Sequence, residues 1–141
     1  MLIVNFIPNP SLFSKISLNL SALHSLWLVN VDAKGKEIDQ GALLRYLGEI
    51  VWVPSAALSD YITWEEMDST TARATMSYGG ITASGIFKFD ENGDFVSFEA
   101  DRYYYRKEGS TLEKWAITAK KNYKEFEGIR VPVTLSRSKF A

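Results

Sequence analysis

The sequence predicts an α+β fold in which one main helix packs on a curved antiparallel meander sheet, a half-barrel. Two observations predict it. One apolar stripe at helical spacing ends before Pro54, and from residue 62 to residue 140 strand-like alternation is interrupted at regular intervals by turn signals. No helical period separates these strands, so parallel crossover units are not expected and the sheet should be antiparallel.

The predicted helix rests on five apolar residues that fall on one face of an α-helix: Leu43, Leu44, Leu47, Ile50 and Val51. Asp39 precedes the stripe and is the expected N-cap, because its carboxylate can accept the free amides of the first turn. Pro54 disfavours helical geometry at the residue before it, so the helix should end near Val51 or Trp52. One further short helical turn is expected over residues 54–58.

The predicted strands each carry one face of apolar or small residues, and the small ones should let the sheet bend. The turn at residues 90–94 is indicated by Asn92 and Gly93, which tolerate positive φ, and the last tight turn by Glu127 and Gly128. The expected faces are Ala72, Ala74, Met76 and Tyr78; Ile81, Ala83, Gly85, Phe87 and Phe89; Val96, Phe98, Ala100, Arg102 and Tyr104; Trp115, Ile117, Ala119 and Tyr123; and Ile129, Val131, Val133 and Leu135.

Length favours a single domain over residues 1–141. It should comprise an N-terminal strand and irregular segment at 1–31, a helical segment at 37–58 and the meander at 62–140. The N-terminal strand, near residues 14–20, is predicted because Ile16, Leu18 and Leu20 alternate with polar residues.

Composition excludes several kinds of chemistry. A formal charge of −1 gives no positive field for nucleic acid. The absence of cysteine excludes disulfides and thiolate catalysis, and one histidine excludes a site with several histidines in one chain. No cofactor and no metal are therefore expected.

The chain shows no signal peptide and no membrane-spanning segment. Its apolar opening lacks a positively charged region and is broken by Pro8 and Pro10. Later apolar runs are far shorter than the roughly 20 residues of a spanning helix. A cytoplasmic location is the default expectation, and the oligomeric state stays open.

Three local patterns could carry chemistry, and each favours a structural interpretation. His24 has no carboxylate near it in sequence. Asp90, Asn92 and Asp94 have the first spacings of a calcium loop but lack its glycine, so a hairpin turn is favoured. The basic and aromatic run at residues 102–107 could bind single-stranded nucleic acid, but nearby acids offset its charge and sheet packing is favoured.

The helical segment EIDQGALLRYLGEIVWVPSAAL, residues 37–58, resembles the signature of an uncharacterised bacterial and archaeal family, DUF6544 (also DUF6920). Residues 64–76, 87–93, 100–103 and 123–132 fit as well. The resemblance covers about residues 32–135 and corresponds to the C-terminal portion of that family. It implies a fold but no reaction, because the family's activity is not established. The sheet is similar to the half-barrel of LolA- and LppX-like carriers, which hold acyl chains between sheet and helices.

Three possible functions follow from these expectations. The first is a non-enzymatic module that binds an apolar or lipid-like small molecule between sheet and helix. The alternatives are a structural or interaction domain with a filled core, and an enzyme of unknown type that uses Asp39, Arg45 and Glu49 with Asp68. The side chains expected to line the ligand site are large, apolar or aromatic: Tyr46, Trp52, Trp64, Met76, Phe87, Phe98 and Trp115.

Overall fold

The computed structural model describes residues 35–140, so the N-terminal strand and irregular segment predicted at 1–31, together with His24, lie outside the described residues. The described part is one helix on a six-stranded antiparallel sheet, with a separate two-stranded sheet. The α+β prediction is therefore confirmed. No helix within residues 35–140 is long and apolar enough to cross a membrane.

The helix, α1, spans Lys36–Glu49, and its predicted apolar stripe is buried throughout. Asp39 was predicted to be the N-cap of α1, but this prediction is wrong. Asp39 lies within the first turn of the helix. The chain enters the helix through Gly35 at a φ of 118°, and the Gly35 carbonyl accepts the amides of Ile38 and Asp39. Glycine reaches this backbone conformation without a steric cost, so the helix begins earlier than a side-chain cap would place it.

The helix ends slightly before the predicted residues. After Glu49 the backbone tightens, because Trp52 N–H donates to the Glu49 carbonyl and Val53 N–H to the Ile50 carbonyl. A 3₁₀ turn then spans Pro54–Leu58, as expected. Pro54 accounts for the stop, since the residue before a proline is disfavoured in helical geometry.

The main sheet has the strand order β1-β2-β3-β4-β5-β8, with every neighbouring pair antiparallel. The two end strands of this order, β1 and β8, are not paired with each other, so the sheet is open. Hairpin β6–β7 forms the second sheet. The bounds are β1 Ile62–Asp68, β2 Thr71–Tyr78, β3 Ile81–Phe89, β4 Phe95–Arg106, β5 Gly109–Ala119, β6 Tyr123–Phe126, β7 Ile129–Pro132 and β8 Leu135–Phe140.

Two predicted long strands are each interrupted. Tyr123 was expected to continue β5, and residues 129–135 to form one strand, but the ladder breaks between the pairs Ala119–Leu135 and Tyr123–Pro132. Between β5 and β6 the break contains the three residues 120–122, whereas between β7 and β8 it contains only the two residues 133–134. The extra residue makes a bulge that turns β6 and β7 away from the main sheet.

A second bulge corrects the predicted face of β4. Lys88 pairs with Ser97 and Phe89 with Phe95, so Val96 has no partner in the register. Val96 is consequently exposed, whereas it was expected to share the inward face of Phe98. In β2 and β3 the predicted faces are correct, and burial alternates as the pattern indicates.

The small inward residues lie beneath large neighbours. A Cβ added at Gly85 would overlap the Phe98 ring, and one added at Gly48 of α1 would overlap the Ile117 side chain. Gly48 lies over Phe98 and Gly41 over Arg102, so α1 runs antiparallel to β4. Helix and sheet are thus in close contact along the C-terminal half of α1.

Candidate functional site

Four of the seven side chains predicted to line a ligand site belong to the packed core. Met76, Phe87, Phe98 and Trp115 are at most 3% exposed. The ring centroids of Phe87 and Phe98 lie 4.6 Å apart, and those of Phe98 and Trp115 lie 5.9 Å apart. These side chains belong to one core cluster and pack together in this structure.

The other three lie around the core, where the two indole N–H groups donate to backbone carbonyls. The Trp64 indole donates to the Ala57 carbonyl at 2.7 Å, and its ring lies 5.1 Å from that of Phe87. Trp52 donates to the Pro132 carbonyl at 2.8 Å and joins the end of α1 to β7. Tyr46 is partly buried against the core, and this burial raises the pKa of its hydroxyl.

A groove opens at the N-terminal end of α1, between the helix and β4. We call it the α1–β4 groove. Its volume is 250 Å³, and it is lined by Glu37, Ile38, Gly41, Arg102, Tyr103 and Tyr104. Gly41 makes room for the Arg102 side chain beside the groove, because a Cβ at this position would lie 3.3 Å from Arg102 Nε. The groove lies at the helix–sheet interface, beyond the closely packed half of α1.

Arg102 is the principal charged group on the sheet side of this groove. Its guanidinium carbon lies 5.2 Å from the Trp115 ring and 5.9 Å from the Tyr104 ring. Arg102 therefore joins the groove to the aromatic core. A cation over a ring is attracted by its π face, which favours this position of the guanidinium beside Trp115.

Arg102 forms no ion pair with any residue in 35–140. By contrast, Arg45 on α1 pairs with Glu49, and Arg106, on the same strand as Arg102, pairs with Glu113 of β5. Glu37 also lines the groove, but its carboxylate accepts the Ser110 hydroxyl. The groove thus contains one partly buried cation whose hydrogen-bond donors are not used by any carboxylate within residues 35–140.

A second pocket lies beyond the other end of α1, against the β6–β7 hairpin. Its volume is 340 Å³, and its walls include Trp52, Val53, Phe126, Ile129 and Val131. Phe126 is 60% exposed. Of the seven predicted side chains, Trp52 alone lines either of these two openings.

Three of the four side chains of the enzyme hypothesis form local contacts. Arg45 and Glu49 pair on the exposed face of α1 at 2.8 Å. Asp68 accepts the Thr70 amide at 2.8 Å, and this hydrogen bond lowers the pKa of its carboxyl. Asp39 Oδ1 is buried without a hydrogen-bond partner. Within residues 35–140, no group of three or more histidines or carboxylates could hold a metal ion.

The loop predicted as a hairpin turn is confirmed. Asp90 Oδ1 accepts the amides of Asn92 and Asp94, and Gly93 has a φ of 83°. Asp94 pairs with Arg130 at 2.9 Å, and the nearby Tyr123 has a raised pKa, because of burial first and then the charge of Asp94.

The basic and aromatic run on β4 does not form one platform. Arg102 and Tyr104 are directed to the helix side, whereas Tyr103 is exposed on the other face, because side chains alternate along a strand. Arg106 is paired with Glu113.

The described part of the chain is therefore an α+β module, a helix on an open antiparallel sheet with a groove at one end of their interface. A family of unknown function (DUF6544) matches residues 17–138, and the chain belongs to that family. Neither a curated protein nor a solved structure matches the chain. The similarity to LolA- and LppX-like carriers therefore has no support from a solved neighbour.

Sequence reasoning missed the α1–β4 groove, although one signal for it was present. The sequence pattern places Arg102 on an inward face between Ala100 and Tyr104, and a charged residue is unusual on a face that is expected to be buried. Buried arginines usually have a carboxylate partner or contact solvent or a ligand. That pattern singles out the residue, but only the fold brings it beside Gly41.

Proposed function

We propose that this protein is a non-enzymatic module that binds an apolar or lipid-like small molecule at the α1–β4 groove. The observation that carries the proposal is an opening at the helix–sheet interface with apolar and aromatic walls beside the packed core. Ile38 and Gly41 supply the helix wall, and Tyr104 supplies the aromatic side chain of the strand wall. Binding sites for small molecules are commonly such clefts, apolar with a few polar groups.

The groove is small, which restricts the size of the bound group. One water occupies about 30 Å³ in the liquid, so 250 Å³ holds about eight non-hydrogen atoms. This corresponds to an alkyl chain of medium length, or to one end of a longer chain. The remainder of a longer chain would extend into solvent.

The close packing of the core favours the α1–β4 groove, rather than the centre of the sheet, as the ligand site. Phe87 and Phe98 are fully buried by their neighbours, and a ligand between them would have to displace rings that already contact each other. At the groove, a ligand covers apolar surface that the protein leaves open. Arg102, which lines the groove, lies over the Trp115 ring and so joins the groove to the core.

A structural or interaction domain with a filled core is the second candidate. The observation that favours it is the same close packing of Phe87, Phe98 and Trp115. The two candidates differ in one respect: only the first requires saturable binding of a small apolar molecule at the groove.

The test uses uncharged probes, the 1-alkanols from butanol to dodecanol, titrated by calorimetry. Each methylene that enters the groove should add about 0.8 kcal/mol, which is about a fourfold gain in affinity per carbon. We expect the gain to continue to about eight carbons and then to level off, because the groove is full.

The matched variants are Gly41→Leu and Lys36→Leu. The first places a leucine in the groove wall, and the second places the same residue at an exposed position of α1 outside the groove. We expect Gly41→Leu to weaken 1-octanol binding at least tenfold and Lys36→Leu to leave it unchanged. Absence of saturable binding by any alkanol would contradict the proposal and leave the structural role.

A further inference from the structure

We infer that the ligand of the α1–β4 groove carries a single negative charge, and that Arg102 is the residue that binds it. This inference rests on the proposed function and specifies the chemical class of its ligand: a monoanionic amphiphile such as a medium-chain carboxylate. Its basis is the juxtaposition of an apolar groove with a guanidinium that has no carboxylate partner in the described residues.

The position of Arg102 is unusual for a surface arginine. It is partly buried, and its guanidinium is held between α1 and the sheet, with Nε 3.3 Å from the position a Cβ would take at Gly41. Contact with the Trp115 and Tyr104 rings restricts its side chain. A guanidinium fixed in this way loses little conformational freedom on binding an anion.

The donors of a guanidinium match a planar carboxylate. Its fork of N–H groups can donate two parallel hydrogen bonds to one carboxylate, and hydrogen bonds between ions are about twice as strong as neutral ones. With the charged end at Arg102, an alkyl chain would lie along Ile38 and Gly41 on the helix wall. Both parts of an amphiphile are thereby accommodated in one groove.

Glu37 limits the charge that the groove accepts. Its carboxylate lines the same groove, held by the Ser110 hydroxyl. Because like charges repel, a second negative charge on the ligand would be opposed here. A monoanion is therefore favoured over a dianionic phosphate monoester.

The experiment compares octanoate with 1-octanol and octyl phosphate at pH 8 and low ionic strength, by calorimetry on the full chain. We expect octanoate to bind about tenfold more tightly than 1-octanol and more tightly than octyl phosphate. Equal affinity for octanoate and 1-octanol would overturn the inference and leave the proposed function intact. Failure of all three probes to bind would overturn both. Tighter binding of octyl phosphate would overturn the assignment to a monoanion.

Three variants separate recognition from folding. Arg102→Met retains an unbranched apolar chain over Trp115 and removes the charge; we expect it to abolish the tenfold advantage of octanoate while 1-octanol binding persists. Arg45→Met removes an arginine that is paired with Glu49 outside the groove, and should preserve the advantage. Glu37→Gln should strengthen octanoate binding severalfold without affecting 1-octanol, a gain that misfolding cannot produce. An octanoate advantage unchanged in Arg102→Met, or no gain in Glu37→Gln, would overturn the role of these residues.

Discussion

Phe98→Ala should lower the free energy of unfolding by about 3–5 kcal/mol, the largest effect we expect from one substitution. The Phe98 ring is completely buried, lies 4.6 Å from the Phe87 ring centroid and covers Gly85. Its removal leaves a cavity that the sheet cannot close, because Gly85 has no side chain with which to fill it. Urea denaturation followed by circular dichroism measures the change.

The pairing of Phe98 with Gly85 can be tested by a double-mutant cycle. Gly85→Ala alone places a Cβ in the Phe98 ring and should cost about 1–3 kcal/mol through overpacking. In the Phe98→Ala background the same change meets no ring and should cost much less. The two effects should therefore be non-additive by more than about 1 kcal/mol. Additive effects would contradict the claim that the Phe98 ring is what excludes a side chain at residue 85.

Leu47→Ala should lower the free energy of unfolding by about 2–5 kcal/mol. Leu47 is fully buried at the centre of the apolar stripe of α1 and belongs to the core cluster shared with the sheet. Its loss removes apolar burial and leaves a cavity between helix and sheet.

The matched control is Leu58→Ala, the same substitution at a residue that is 51% exposed. We expect it to cost less than about 1 kcal/mol, because most of the leucine surface already contacts solvent. An equal shift of the denaturation midpoint in both variants would contradict the placement of the α1 stripe against the sheet.

The sequence predicted the elements of this fold well where one periodicity dominates. The stripe of α1 and the alternation of β2 and β3 each place a continuous row of apolar or small residues against one core. The errors lie where the backbone departs from regular geometry. Gly35 starts the helix by its backbone conformation, and the bulge at Val96 changes the face that a residue occupies without changing the alternation of residue types.

The break between β5 and β6 shows the same limit. Apolar residues occupy every second position from Trp115 to Ala119, and Tyr123 falls on the same face of an extended chain, so the pattern favours one strand in spite of Lys121. The extra residue becomes visible only in the pairing with residues 132–135, because a bulge is a property of two strands together.

The candidate site was harder to predict than the fold, because small inward residues have two meanings. Gly85 and Ala100 could border an empty concavity or make room for a neighbouring ring. At Gly85 the missing side chain makes room for a ring, because the Phe98 ring lies directly above it. Whether Met76, Phe87, Phe98 and Trp115 line a ligand remains a prediction, whereas the groove beside Arg102 arises from a contact between α1 and β4 that no local pattern encodes.

The central claim, that an apolar ligand binds at the α1–β4 groove, is tested most directly by nuclear Overhauser contacts between bound 1-octanol and the isotopically labelled protein. We expect saturable contacts from the alkyl chain to the Ile38 methyl groups and the Tyr104 ring. Contacts confined to Trp52 and Phe126 in the second pocket, contacts to the Met76 methyl within the core instead of Ile38, or the absence of saturable contacts would each contradict it.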